Sequence, residues 1–252
     1  KTPLTIKLSQ ILQKLNFKTA TIKKFYKNQI DEQKLLSKKS NLYCKKNRVD
    51  ALNEALKDNI DIAIFDDGLQ DAFLNYDLSF VCFNNINWIG NGSLIPSGPL
   101  REKLTSIFKY DAIFLNGNEE DNSDIKDSIR KINKNIKIFE TYYHPINVHK
   151  FDLEDNYLIF SGIGCPHSFK KTLLKNKFKI IKEIEFPDHY QYTKKDLEKI
   201  RSIAINLNAK IITTEKDYVK IPQTNLDKIY FLEIDLIIKK QDELVSFIKS
   251  KI

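Results

Sequence analysis

The sequence contains no methionine, one tryptophan, three cysteines and only seven glycines among 252 residues. Each scarcity narrows what the chain can be. Cys44, Cys82 and Cys165 are odd in number and widely spaced, with no CxxC pair. That excludes a zinc-binding pattern and reads as reduced thiols of a cytosolic protein rather than a disulfide framework. No apolar run approaches the roughly 18–20 residues that a membrane-spanning helix needs, and no signal peptide is visible. There is no internal repeat and no low-complexity tract. The chain opens on Lys1 rather than Met, so the natural N-terminus is expected upstream of it.

Arginine is scarce too: Arg48, Arg101, Arg130 and Arg201 are the only four among 41 basic residues. Against 33 acidic residues the formal net charge is +8. Such a surplus attracts anionic lipid headgroups, phosphates or nucleic acid; it is equally what a composition biased to lysine, isoleucine and asparagine produces. The basic residues are scattered and no aromatic-interleaved stripe accompanies them, which argues against a nucleic-acid partner. A hydrophobic fraction of 42% and a charged fraction of 29% are ordinary for a soluble globular protein. The length accommodates one large domain or two medium ones with a substantial core.

What is present is an alternation of helical and strand patterns. Leu4, Leu8, Ile11, Leu12 and Leu15 recur at helical spacing behind Pro3, predicting a helix over 4–16. A short strand is expected over 19–25 and a helix over 48–57, through Val49, Leu52, Ala55 and Leu56. The run from Ile60 to Phe65, ending in Asp66, Asp67 and Gly68, reads as a buried parallel strand. Further strands are expected at 78–83 and 112–115. Residues 84–101 carry Asn91, Gly92, Pro96, Gly98 and Pro99, a loop of the kind that is often functional. The stretch 136–151 is strand-like and holds Pro145, a candidate hinge. Beyond it the pattern restarts, with strands at 157–161, 180–186, 210–213 and 230–236 and helices at 168–176, 194–207 and near 242–251. The expected architecture is α/β, with two α/β/α sandwich lobes at 1–148 and 149–252 joined by a short hinge.

Some residues carry chemistry on their own. Lys1-Thr2 before an amphipathic helix reads either as an ordinary helix start or as the tail of a phosphate-binding loop. In that loop the lysine reaches the β/γ oxygens and the hydroxyl ligates Mg²⁺. The glycines of such a loop are expected upstream of Lys1. Asp66 and Asp67 at a strand's carboxyl end read either as a solvated turn or as a cation site, since paired carboxylates there need something to satisfy them. Trp88 and Ile89 suit either a lipid-facing tip or the core.

Five motifs in order then resemble one family. Asp66-Asp67-Gly68-Leu69-Gln70 resembles the Asp-Asp-Gly-Phe-Gln-His signature of the tetraacyldisaccharide 4'-kinases. Gly90-Asn91-Gly92 with Leu94-Ile95-Pro96-Ser97-Gly98-Pro99-Leu100-Arg101-Glu102 resembles that family's Gly-Asn-Gly and Pro-Leu-Arg-Glu loop. Gly162-Ile163-Gly164-Cys165-Pro166 with Phe169, Phe186-Pro187-Asp188-His189, and Thr214-Glu215-Lys216-Asp217 with Lys220 resemble its remaining segments.

The resemblance implies a P-loop NTPase-type parallel sheet in the first lobe. It also implies transfer of phosphate from ATP to the 4' hydroxyl of a tetraacylated disaccharide 1-phosphate, the lipid A precursor. The protein would act as a peripheral monomer on the cytoplasmic face of the bacterial inner membrane. Lys1, Thr2, Arg48 and Gln70 would serve ATP. Thr2, Asp66, Asp67 and Glu32 would serve Mg²⁺, with the roles of Asp66 and Asp67 undivided. Asp31, in Ile30-Asp31-Glu32-Gln33, matches the family's general-base aspartate of Gly-Asp-Glu-Pro, and His189 its partner histidine. Asp67 and Arg101 complete the implied catalytic set. A carboxylate that takes the hydroxyl proton, tuned by an imidazole, is sound chemistry for phosphoryl transfer, and guanidinium groups suit phosphate oxygens.

Three positions depart from the family pattern. Lys23-Lys24-Phe25-Tyr26 stands where Ser-Arg-Gly-Tyr-Gly belongs, Ile30 and Gln33 replace the Gly and Pro around Asp-Glu, and Asp71 replaces the His after Gln70. Two other readings compete: a P-loop phosphotransferase with a soluble acceptor, and a non-catalytic lipid- or nucleotide-binding relative. His144, His149 and His167 match no catalytic position and read as surface or structural residues.

Overall fold

In the computed structural model, which describes residues 1–71, 73–117 and 121–251, short apolar runs become parallel strands and the helical periodicities become the helices between them. In chain order the elements begin with α1 (Thr2–Lys14), β1 (Thr19–Lys24), α2 (Ile30–Lys39), β2 (Leu42–Lys45), α3 (Arg48–Lys57) and β3 (Ile62–Phe65). Next come β4 (Phe80–Asn84), β5 (Ala112–Gly117), α4 (Ser123–Ile132) and β6 (Lys137–Pro145). The chain closes with β7 (Asn156–Ser161), α5 (Pro166–Lys175), β8 (Lys179–Glu185), α6 (Lys194–Asn206), β9 (Ala209–Thr214), α7 (Glu215–Tyr218), β10 (Ile229–Leu232), β11 (Ile234–Ile238) and α8 (Gln241–Lys249). Three sheets result, ordered β2-β1-β3, β10-β9-β7-β8 and β11-β6-β5-β4.

The chain groups into two compact units. One is formed by Thr2–Asp67 with His144–Asp235, the other by Gly68–Tyr143 with the chain from Leu236 onwards. The first unit holds two all-parallel sheets. In β1 the pleat sends Ala20 and Ile22 to one face, where they meet Ala51 and Ala55 of α3. Alternate residues point the other way. Thr19, Thr21 and Lys23 are buried on that opposite side, and Thr19 shares a hydrogen bond with Ser9 of α1. A strand that is apolar on one face and polar on the other thus carries a lysine into the interior.

The second sheet of this unit uses the same alternation with apolar residues on both faces. Leu158 and Phe160 of β7 pack on Leu197, Ile200 and Ala204 of α6. Tyr157 and Ile159 pack the other way, on Phe169 and Leu173 of α5. Each such side chain contributes about 1.5–3 kcal/mol by leaving water. α6 is closed by a reciprocal cap in which Thr193 and Asp196 each bond the other's backbone N–H.

In the second unit Ile113 of β5, Ile129 of α4 and Ile107 form a core that takes in Val81, Phe83 and Trp88. Trp88 therefore belongs to the core, with its ring 4.8 Å from that of Phe83. The 84–101 stretch is a loop, as its glycines and prolines imply, and it is tightly wound. A Cβ added to Gly98 would lie 2.4 Å from the Ser93 carbonyl oxygen, so only glycine fits that position.

The sequence pattern differs from the structure in a few places. The single strand expected over 230–236 is two strands, β10 and β11, in different sheets. The break falls at Glu233, whose N–H donates to Asn147 Oδ1 while Asn147 Nδ2 donates to the Phe231 carbonyl. The apolar run is interrupted by Glu233 and Asp235, and the side-chain bridge at Glu233 ends one ladder before the next begins. The strand expected over 136–151 ends at Pro145. The helices α2 and α4 and the short strand β2 were not expected: α2 is lysine-rich with few apolar residues, β2 is only four residues long, and α4 was missed although Ile125, Ile129 and Ile132 recur at helical spacing and face the core.

Candidate active site

Asp66 follows the last residue of β3, and its N–H donates to the Ile22 carbonyl of β1. Burial there leaves it 1% exposed. The first turn of α1 supplies two hydroxyl donors: Thr2 Oγ1 to Asp66 Oδ2 at 3.2 Å and Thr5 Oγ1 to Asp66 Oδ1 at 3.3 Å. Lys23 Nζ, 2% exposed, donates to Asp66 Oδ2 at 2.7 Å and to Glu32 Oε2 at 2.8 Å. Burial alone would lower the Lys23 ammonium pKa. The charges of Asp66 and then Glu32 outweigh burial and hold it above its ordinary value. Asp67 adopts φ +60°, a left-handed conformation favoured in sharp turns. Arg48, at the start of α3, donates from Nη2 to the Asp67 carbonyl at 2.6 Å and so pins that turn.

Glu32 leads from this cluster to a second one. Burial would raise its carboxyl pKa, but Lys23, then Lys216 and His189, hold it below its ordinary value. Its other oxygen lies 3.5 Å from Lys216 Nζ and 4.0 Å from His189 Nε2. Beside it Asp31, in the first turn of α2, has no exposed surface. Both Asp31 oxygens sit against His189 Nδ1, at 3.1 and 3.0 Å. Lys216 Nζ stands 3.6 Å from Asp31 and 3.3 Å from Asp188. Burial lowers the Lys216 ammonium pKa, yet Asp31, Asp188 and Glu32 together raise it above its usual value. An aspartate and a histidine that are 158 residues apart in the chain are thus in direct contact within one unit.

The remaining candidates fall as follows. Arg101 and Gln70 lie together in the other unit, where Arg101 Nη1 donates to Gln70 Oε1 at 3.0 Å. Lys1 stands exposed ahead of α1. His144, His149 and His167 are exposed. Two residues of the cluster, Lys23 and Lys216, had no role assigned from the sequence. For Lys23 the signal was available: it alternates with Ile22 and Ala20, and so shares a buried face with Thr19 and Thr21.

A buried acidic residue at a parallel strand's end, held by the hydroxyls of the first turn of a helix and followed in space by an Asp–His pair, is the arrangement of an α/β phosphotransferase. The sequence profile of the tetraacyldisaccharide-1-P 4'-kinase (LpxK) family matches residues 1–252, and the chain belongs to that family. A tetraacyldisaccharide 4'-kinase of Pelagibacter ubique is 50% identical over 246 residues, spanning 98% of this chain and 78% of that protein. Its counterpart in Rickettsia typhi is 34% identical over 263 residues, spanning 97% and 79%. A crystal structure of the Aquifex aeolicus LpxK in complex with ATP superposes with a TM-score of 0.69 at 19% identity, covering 99% of this chain and 83% of that one. At that identity the likeness speaks for the fold.

Proposed function

We propose that the protein transfers the γ-phosphate of ATP to the 4' hydroxyl of a tetraacyldisaccharide 1-phosphate, and that the Asp31–His189 pair receives the hydroxyl proton. The carrying observation is the 3.0 Å contact between Asp31 and His189 Nδ1. In the step, the acceptor O–H bond breaks and its proton goes to the pair. The acceptor oxygen bonds to Pγ, and the bond from Pγ to the bridging oxygen breaks to release ADP. The Asp31 carboxyl group, in contact with Nδ1, fixes the ring and stabilises the charge that the pair gains.

Mg²⁺ suits the donors gathered at the start of α1. They are hard oxygens and few, Thr2 Oγ1 and the Asp66 carboxylate with Asp67 next in the chain. Mg²⁺ is commonly held by one or two carboxylates together with substrate phosphates. Bound there, the metal would neutralise charge on the β and γ oxygens. Lys23 engages Asp66 and Glu32 alike; Glu32, the fourth donor implied by the resemblance, is held by Lys216 as well and serves the site by holding those cations. Lys1 reaches the phosphates, while Arg48 keeps Asp67 in place. Gln70 and Arg101, hydrogen-bonded to each other, are groups that suit phosphate oxygens. The acceptor is a lipid, so the protein works at the cytoplasmic surface of the inner membrane. No helix among the described residues is long and apolar enough to cross a membrane.

The test is transfer of labelled γ-phosphate from ATP to the tetraacyldisaccharide 1-phosphate in detergent, with Mg²⁺ or with a chelator. Metal-dependent label at the 4' position is expected. Asp31→Ala and His189→Ala should each lower kcat by about 10²–10⁴-fold, the usual worth of general acid–base catalysis. A folded, ATP-binding protein that labels soluble sugars and not the lipid would overturn the acceptor assignment.

A further inference from the structure

One buried cluster lies outside the reacting groups and touches none of them by side chain. Asp217 in α7 has no exposed surface, and Lys220 one turn on is 1% exposed; their charges meet at 2.6 Å. Tyr192 Oη donates to Asp217 Oδ1 at 2.9 Å. Burial, and next the Asp217 charge, push the tyrosine hydroxyl far above its ordinary pKa, so it stays a donor. Thr214 Oγ1 donates to Asp217 Oδ2 at 2.7 Å. A charge pair this deep in a protein is costly to assemble and is weak evidence of stability by itself. What it holds is therefore the informative point.

It holds the backbone of one residue on both sides of its Cα. The Gly162 N–H donates to Asp217 Oδ2 at 3.0 Å, and Lys220 Nζ donates to the Gly162 carbonyl at 3.3 Å. The same carbonyl accepts the backbone N–H of His189 at 3.2 Å. The segment carrying the histidine rests directly on this glycine: a Cβ there would lie 3.0 Å from the Pro187 carbonyl oxygen and 3.1 Å from the Tyr192 hydroxyl. His189 itself adopts φ +59°, a backbone state that a non-glycine residue keeps only when its surroundings impose it.

We propose that Asp217, Lys220 and Tyr192 are positioning residues for the reaction: through the backbone N–H and C=O of Gly162 they set the backbone of His189, and hence the approach of its imidazole to Asp31. The inference rests on the proposed role of the Asp31–His189 pair. It adds that the pair's geometry is fixed from behind, by a network that contacts neither substrate.

Two readouts test it. Tyr192→Phe removes one donor to Asp217 and keeps the ring, so it spares the fold where Lys220→Met could unfold it. The first readout is kinetic. In the wild-type background Tyr192→Phe should lower kcat about ten- to a hundredfold, the scale expected for a displacement of about 1 Å, with both KM values unchanged. In a His189→Ala background the same substitution should cost nothing further. Equal losses in both backgrounds, or no loss in the wild type when His189→Ala is itself impaired, would overturn the proposal.

The second readout does not depend on turnover. The His189 Nδ1 proton, hydrogen-bonded to Asp31, should give a downfield NMR resonance in the wild type that broadens or disappears in Tyr192→Phe. A resonance that survives unchanged would sink the positioning role. If the resonance is lost while His189→Ala retains full activity, the positioning stands and the catalytic reading of the pair fails.

Discussion

Lys23 shows how a single side chain can join two halves of a site. Its ammonium lies between Asp66, at the helix start where Thr2 and Thr5 converge, and Glu32, beside Asp31. Removing it leaves two carboxylates under-compensated, one of them fully buried. Lys23→Met should therefore cost about 3–5 kcal/mol of stability, read by denaturant unfolding at pH 7. Glu32 adds a pH signature. Its folded carboxyl pKa lies below the ordinary 4.5. A depressed acid stabilises the fold above its unfolded pKa and loses that contribution as pH falls through the folded value. Thermal unfolding midpoints should decline below about pH 4.5, and Glu32→Gln should lessen the decline; an identical acid profile in that variant would remove Glu32 from the account.

The residues of the Asp31–His189 pair were legible only through motif resemblance. Nothing in composition or periodicity relates positions 31 and 189, and α2, which carries Asp31, has a sequence too polar to announce a helix. Lys216 was visible only as part of a motif. Its role emerges because Thr214 caps a four-residue helix too short to show any period.

At the scale of elements, strands such as β3, β5 and β7 were the readable part because burial on both faces demands apolar runs. The pair β10 and β11 was misread because apolar character says that a segment is buried, not which sheet buries it. Capping was legible too, since Thr193 stands three residues before Asp196 at the head of α6. Thr193→Ala should destabilise the unit by about 1 kcal/mol, read by denaturant unfolding. The elements thus separate into those that stabilise and those that aim: α6 caps and packs, whereas α7 holds Lys216 on one side and the Asp217–Lys220 pair on the other.

For the whole molecule, contacts group stretches that the chain order separates, Thr2–Asp67 with His144–Asp235 and Gly68–Tyr143 with the C-terminal segment. A division near residue 148, proposed from the sequence, is a statement about chain order, and a one-dimensional pattern carries no information on such interleaving. The interleaving has a consequence for ligand linkage. The first unit brings together α1, β1, β3 and the His189 segment, so a nucleotide held by Thr2 and Asp66 stabilises both of its stretches at once. A ligand that binds only the native state adds about 2.7 kcal/mol at 100 times its Kd. For a chain of this size that corresponds to roughly 5–10 °C in Tm. Mg·ATP should produce such a shift, a chelator should reduce it strongly, and Asp66→Asn should lose it while remaining folded. Because Asp66 also binds Lys23, the comparison that decides is ligand-dependent: Asp66→Asn lowers the Tm of the free protein, but the metal-nucleotide role stands only if the further rise on adding Mg·ATP disappears as well. A rise of the same size in that variant would move the nucleotide away from the head of α1 and leave Asp66 as a buried structural anion.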